Sequence, residues 1–196
     1  TLVEVLRATL GDYAQHTSTK TILQKKKDGI PNDLAALAGA RFVFADESEA
    51  GRRLAEGLLK QLTGQNTVSA RFLYREGFQF QPVLKLWLST NHRPRIVEST
   101  RAMWARIRLV PFVVTFVDET EPEFAQASTL PGAHIMKKEK ALKEKLLAEL
   151  PGILRWIVEG CRLWLEEGLN PPTIIKEATK AYREDMDTLA DFFAEC

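Results

Sequence analysis

The sequence predicts an α/β fold, with a parallel-sheet core over residues 1–117 and a helical subdomain over 118–196. Three observations carry this expectation. Arg41-Phe42-Val43-Phe44-Ala45 is a continuous apolar run of strand length, and Val83-Leu84-Lys85-Leu86-Trp87-Leu88 is a second strongly apolar one. Such runs suit strands buried on both faces, as in parallel sheets. Beyond Lys137 the period becomes helical, with Leu142, Leu146, Leu147 and Leu150 on one face.

Composition sets the outer limits. In 196 residues, a hydrophobic content of 45% is ample for a packed core. The net charge of +1, from 27 basic and 26 acidic residues, gives no global attraction to a polyanion. Contact with nucleic acid would have to come from local patches. Cys161 and Cys196 lie far apart and His16, His92 and His134 are scattered, which argues against a disulfide framework or a zinc site. The opening residues lead to no cleavage site and no apolar run reaches membrane-spanning length, so the expected address is cytoplasmic, with no membrane partner.

The elements follow in order. Leu2, Val3, Val5, Leu6, Ala8 and Leu10 read as helical turns ending at Gly11. Residues 17–28, with Lys25-Lys26-Lys27, read as a loop whose lysines form a solvated surface. Asn32 can cap a short helix through Leu37 that stops at Gly39. The strand from Arg41 ends in Asp46-Glu47, and Ser48 can cap a helix through Leu59. Thr67–Tyr74 and Phe78–Phe80 read as a hairpin with Arg75, Glu76 and Gly77 at its tip. The next strand ends at Ser89-Thr90-Asn91, a short helix closes at Trp104-Ala105, and residues 107–116 carry strand character interrupted by Pro111. After an acidic linker from Asp118 come a helix over 137–150, a second from Ile153 to Gly168, and a third opened by Pro171-Pro172-Thr173 and running to Phe192.

The chemistry sits at strand ends. Asp46 and Glu47 close a central strand, where open α/β sheets place ligands. In nucleotide hydrolysis one carboxylate holds the magnesium shell and another orients the attacking water. Two acids also suit the positive end of the following helix, and the pair alone does not decide between these uses. The neutral amide of Asn91 could hydrogen-bond a terminal phosphate or the water, or could shape a turn with His92-Arg93-Pro94. Arg106 and Arg108 could neutralise charge on transferred phosphoryl oxygens, or form surface ion pairs.

The order of these features, with Lys85-Leu86-Trp87-Leu88-Ser89-Thr90-Asn91-His92-Arg93-Pro94 and Trp104-Ala105-Arg106-Ile107-Arg108-Leu109-Val110-Pro111-Phe112, resembles the superfamily 3 helicase domain of plasmid- and phage-type primase-helicases, relatives of the poxvirus proteins. Further matches are Leu-Gly-Asp-Tyr at 10–13, Gly51-Arg52-Arg53-Leu54, Lys60-Gln61-Leu62-Thr63-Gly64, Ala70-Arg71-Phe72-Leu73-Tyr74 and Leu150-Pro151-Gly152-Ile153-Leu154-Arg155-Trp156. The resemblance implies an AAA+-type, P-loop NTPase-like core in a homo-oligomeric ring, expected to be a hexamer, that uses ATP and Mg2+ to unwind single-stranded or forked DNA during replication. By this likeness Glu47 is the Walker B catalytic acid, Asp46 lies at the metal, Asn91 is the sensor, and Arg106 is the finger acting on a neighbour's ATP. Arg108 is the less favoured candidate for that last role. Lys60, Arg71 and Arg75, in and before the hairpin, are the implied DNA contacts, with the nucleotide or subunit interface as the equal alternative for Lys60 and Arg71.

Two departures qualify the likeness. Gln65-Asn66 stands where Gly-Asp is expected after Thr-Gly. No G-x-x-x-x-G-K-[ST] occurs in the sequence, although in the family that Walker A loop directly precedes a segment like Thr1–Leu6. The sheet is therefore expected to lack its P-loop strand, and the isolated chain to bind ATP poorly and hydrolyse it negligibly. The exposed sheet side that would result predicts weakened stability or a non-native oligomer. The rival reading is a non-catalytic DNA-binding or oligomerisation module from a decayed mobile element. A third is an unrelated AAA+ switch or loader that does not unwind DNA.

Overall fold

The computed structural model describes residues 1–24, 32–46, 51–64, 66–122 and 134–186. They form a mixed α/β protein with a parallel sheet, as the apolar runs predict. The chain divides into two compact units, one of residues 2–107 with those from 180 onward, the other of residues 108–179 with Thr1.

The first unit opens with helix α1 (Leu2–Leu10), followed by a 3-10 turn at Gly11–Tyr13 and strand β1 (Ala14–His16). Helices α2 (Thr19–Ile22) and α3 (Asn32–Ala35) lead to strand β2 (Phe42–Asp46). Helix α4 (Glu56–Thr63), the hairpin β3 (Val68–Arg71) and β4 (Gly77–Phe80), strand β5 (Lys85–Ser89) and helix α5 (Arg101–Trp104) complete it, apart from the end of a later helix.

Among the described residues the main sheet has the order β1-β2-β5, all parallel, with Ala14 opposite Phe42, Phe42 opposite Lys85 and Asp46 opposite Ser89. The alternation of a strand explains the packing on its two faces. Phe42 and Phe44 point to one face with Ala14, where Val3, Leu6 and Leu10 of α1 cover them. Val43, fully buried at 0% exposure, points to the other, among Leu37, Ala40, Leu62, Val68 and Leu84. The continuous apolar run is thus the consequence of a strand with cover on both sides.

Several local expectations are corrected. The stretch read as a loop from Thr17 contains α2, started by Ser18, whose hydroxyl accepts the Lys20 amide at 3.3 Å. Strand β1, Ala14-Gln15-His16, carries no apolar run and leaves no strand signal in the sequence. The helix expected from Ser48 through Leu59 begins only at Glu56; residues 47–50 lie outside the described set. Residues 52–54 are extended instead. Their backbone groups are taken by other segments: Gln24 N donates to Arg53 O at 2.9 Å, Leu54 N to Arg95 O at 3.0 Å, and Arg95 N to Arg52 O at 2.7 Å. These long-range bonds outweigh the modest helix propensity of Arg, Leu and Ala.

In the second unit the strand character expected over 107–116 is realised only at its end. Strand β6 (Thr115–Val117) pairs in parallel with β7 (Ile135–Lys137), and Thr115 lies opposite Ile135. Helix α6 (Leu142–Ala148) is shorter than the expected 137–150: Lys137 is taken by that pairing, and Leu150 already opens the next helix. Helix α7 (Leu150–Glu167) and helix α8 (Thr173–Met186) follow. Pro151 sits in the first turn of α7, where its missing N–H costs nothing, and Gly168, at φ 74°, ends it. Residues 180–186 of α8 belong to the first unit. No helix among the described residues is long and apolar enough to cross a membrane.

Candidate functional site

The strands of the main sheet run in parallel, so their carboxyl ends form one edge. The register puts Asp46, the exposed last residue of β2, opposite Ser89, the last residue of β5, two positions before Asn91. Glu47 lies outside the described residues. Asn91 is exposed in the bend after β5. That bend is shaped by Thr90, whose hydroxyl accepts the His92 amide at 3.1 Å and donates to the His92 carbonyl at 2.8 Å. The turn expected of an Asn side chain is therefore made by its neighbour, and Asn91 is not required for it.

His16 ends β1 on the same edge. Its Nε2 stands 3.7 Å from Asp46 Oδ2, and its ring lies 4.9 Å from that of Phe44. Sequence reasoning missed this neighbour, since a three-residue strand leaves no periodic signal. The edge thus gathers a carboxylate, an imidazole and an amide on adjacent parallel strands or directly after them.

The backbone that frames the edge is tied down from several sides. The bonds Arg95 N to Arg52 O and Leu54 N to Arg95 O join the segment after β5 to the one before α4. Glu56 Oε1 accepts the amides of Val97 and Glu98 at 2.6 and 3.1 Å. Lys60 Nζ donates to both oxygens of Glu98, at 2.5 and 2.6 Å. The Lys60 bond first, and that of the Thr100 hydroxyl second, hold the Glu98 carboxyl below the usual carboxylate range. Lys60, an expected DNA contact, is thus engaged within its own unit.

Arg106 follows α5, exposed, with Nη1 donating to the Ala102 carbonyl at 2.5 Å. Arg71 is exposed at the end of β3, opposite Gly77. Beyond it the tip carries Tyr74, at φ 61° and 96% exposed, and Arg75, whose guanidinium sits 5.9 Å from the Phe72 ring centroid. Arg71 and Arg75 therefore share the hairpin end, while Asp46 and Asn91 share the sheet edge. Among the described residues no group of three or more His, Cys, Asp or Glu side chains forms a metal-binding cluster.

Comparison with known proteins adds relatives. The chain is 28% identical over 197 aligned residues, 99% of its length, to a protein of Acanthamoeba polyphaga mimivirus, and 30% identical over 195 to one of Frog virus 3 (isolate Goorha). Their names read "Putative helicase L207/L206" and "Putative helicase 022R". A similarly named protein of Invertebrate iridescent virus 3, 121R, is 29% identical over 192 residues. The chain spans about a fifth of the length of these relatives: 20%, 19% and 20% respectively. Residues 1–106, more than half of the chain and nearly all of the strand-bearing unit that builds the edge, match the model of a family of unknown function, and the chain belongs to that family, DUF5906.

Proposed function

We propose that this chain is part of the motor of an ATP-dependent DNA helicase of the superfamily 3, primase-helicase type. The observation that carries the reading is the parallel register of β2 and β5, in which Asp46 lies opposite Ser89, two residues before Asn91, at one sheet edge. Ligands of open α/β sheets bind outside the carboxyl ends of strands. The helicase names of the viral relatives point the same way.

In this reading Asp46 holds Mg2+ through its shell. An exposed carboxylate at a strand end fits that task, because Mg2+ takes few protein oxygens and fills its octahedron with water and phosphate. The ion, when bound, neutralises charge on the β- and γ-phosphates. Glu47 orients and deprotonates the attacking water, and the Asn91 amide hydrogen-bonds the terminal phosphate without adding repulsive charge. Arg106 reaches ATP held by a neighbouring protomer of a homo-oligomeric, hexameric ring; its exposure suits that role. Arg71 and Arg75 contact phosphates of single-stranded DNA, and Lys60 does so on release from Glu98.

The residues fit the metal and γ-phosphate side of such a site but not the rest of the nucleotide. The sequence holds no G-x-x-x-x-G-K-[ST], so no backbone cradle for the phosphates is assigned to this chain. The activity is therefore proposed for a longer protein, on the scale of the relatives. The test is DNA-stimulated ATP hydrolysis and strand displacement by that protein. Glu47→Gln is expected to lower kcat by at least about 100-fold, the scale of losing a general base. Hydrolysis retained in that variant contradicts the assignment, and ATP hydrolysis without strand displacement favours a switch or loader.

A further inference from the structure

The loop that follows β5 and carries Asn91 is gripped by the last turns of α8. Tyr182, 4% exposed, donates its hydroxyl to the buried Pro94 carbonyl. Its ring meets Trp104 edge-on at 5.2 Å and 88°. The Arg93 guanidinium covers the ring at 5.7 Å from the centroid and donates to Asp185 Oδ2 at 2.7 Å. Residues 93 and 94 are thus held twice by one helix face, since Tyr182 and Asp185 are three residues apart.

From this geometry we infer that Tyr182, Arg93 and Asp185 form a latch that positions the Asn91 loop, making Tyr182 and Asp185 positioning residues for the edge described above. The physical case rests on the Pro94 carbonyl. Thr90 hydrogen-bonds His92, and Arg95 is bonded through the backbone to Arg52 and Leu54. Between them the carbonyl of Pro94, a residue with no N–H, is buried, and a buried acceptor needs a donor. Tyr182 is that donor. Removing it leaves an unsatisfied carbonyl three residues from Asn91, and the loop must move to find water. The catalytic consequence rests on the proposed ATP chemistry; the mechanical one does not.

Two measurements separate these. In the 196-residue chain, Tyr182→Phe keeps the ring and deletes the donor. Amide hydrogen exchange at Arg95 and Leu54 is expected to quicken about tenfold, the scale of one neutral hydrogen bond, while β2 amides keep their protection. Unchanged exchange at Arg95 and Leu54, or equal quickening in β2, overturns the latch. If Tyr182→Phe fails to fold, Asp185→Asn decides: it breaks the ion pair with Arg93 and should quicken the same two amides and no β2 amide. In the longer protein, Tyr182→Phe is expected to lower kcat for ATP hydrolysis with KM unmoved. A shift in KM alone, or neither changed, overturns the positioning role. A wild-type longer protein without ATPase activity overturns the functional reading and with it the catalytic half of the proposal, while the exchange result still decides the latch.

Discussion

Tyr182 is the residue whose protonation the fold controls most strongly among those described. Burial, opposed in part by the Arg93 cation, pushes its hydroxyl up to about 12 from an ordinary 10. The folded state therefore favours the protonated phenol. Its contribution is whole below pH 10 and is lost as pH rises from about 10 to about 12. Unfolding of the chain followed against pH should show stability falling through that window, and less steeply in Tyr182→Phe; identical slopes would contradict the burial of the donor. Gly39 makes a second prediction at this scale. Its φ of +81° lies in the left-handed region, with nothing within 4 Å of where a Cβ would stand. Gly39→Ala should therefore cost about 1 kcal/mol through backbone strain alone, read as a lowered urea midpoint. Asp46 and Asn91 were legible as candidates because each ends an apolar run. Tyr182 and His16 were not: one acts on a residue 88 positions away, and the other sits on a strand too short to announce itself.

At the scale of elements, β2 carries the fold. Its neighbours on both sides and both faces explain why its apolar run could be read directly from the sequence. Leu62, on the α4 face that packs on Val43, tests this layer. Leu62→Ala removes a side chain that is fully buried and should cost about 2–5 kcal/mol of stability, measured by denaturant unfolding. A cost below 1 kcal/mol would mean that α4 does not cover the sheet as described. The hairpin was legible from its β-branched and aromatic residues, but not its tip: the strands close at Arg71 and Gly77, so Phe72, Leu73 and Tyr74 lie in the turn and Gly77 in β4. The segment 52–54 was misread because local composition favours helix, whereas Arg95 and Gln24 claim its backbone from distant parts of the chain. The strand at Ile135–Lys137 was hidden for the same reason, its partner Thr115–Val117 being 20 residues earlier. The hairpin supports a functional prediction too. In the longer protein Arg75→Ala should weaken single-stranded DNA binding across sequences and reduce the salt slope by about 0.7, the value for one single-strand phosphate contact. An unchanged slope would remove Arg75 from the DNA contact.

At the scale of the molecule, the unit of residues 108–179 differs in texture from the one that carries the three-stranded sheet. Helix α7 has no buried residue, and Trp156 is 72% exposed, with Trp164, Leu165, Phe112 and Phe116 also exposed. Apolar surface of that kind promotes association. The 196-residue chain is expected to self-associate with rising concentration in sedimentation velocity, and Trp156→Glu with Leu165→Glu to reduce it. A monomer at all concentrations would contradict that expectation. The chain spans about a fifth of its viral relatives, so the proposed motor is a property of the longer protein. The most direct measurement is a crystal structure of that protein with Mg2+ and a non-hydrolysable ATP analogue. The account predicts the ion's shell against Asp46, the Glu47 carboxylate facing the γ-phosphate, and the Asn91 amide within hydrogen-bonding distance of its oxygens. A nucleotide bound away from the carboxyl ends of β2 and β5, or Glu47 and Asn91 on opposite sides of the sheet, would contradict it.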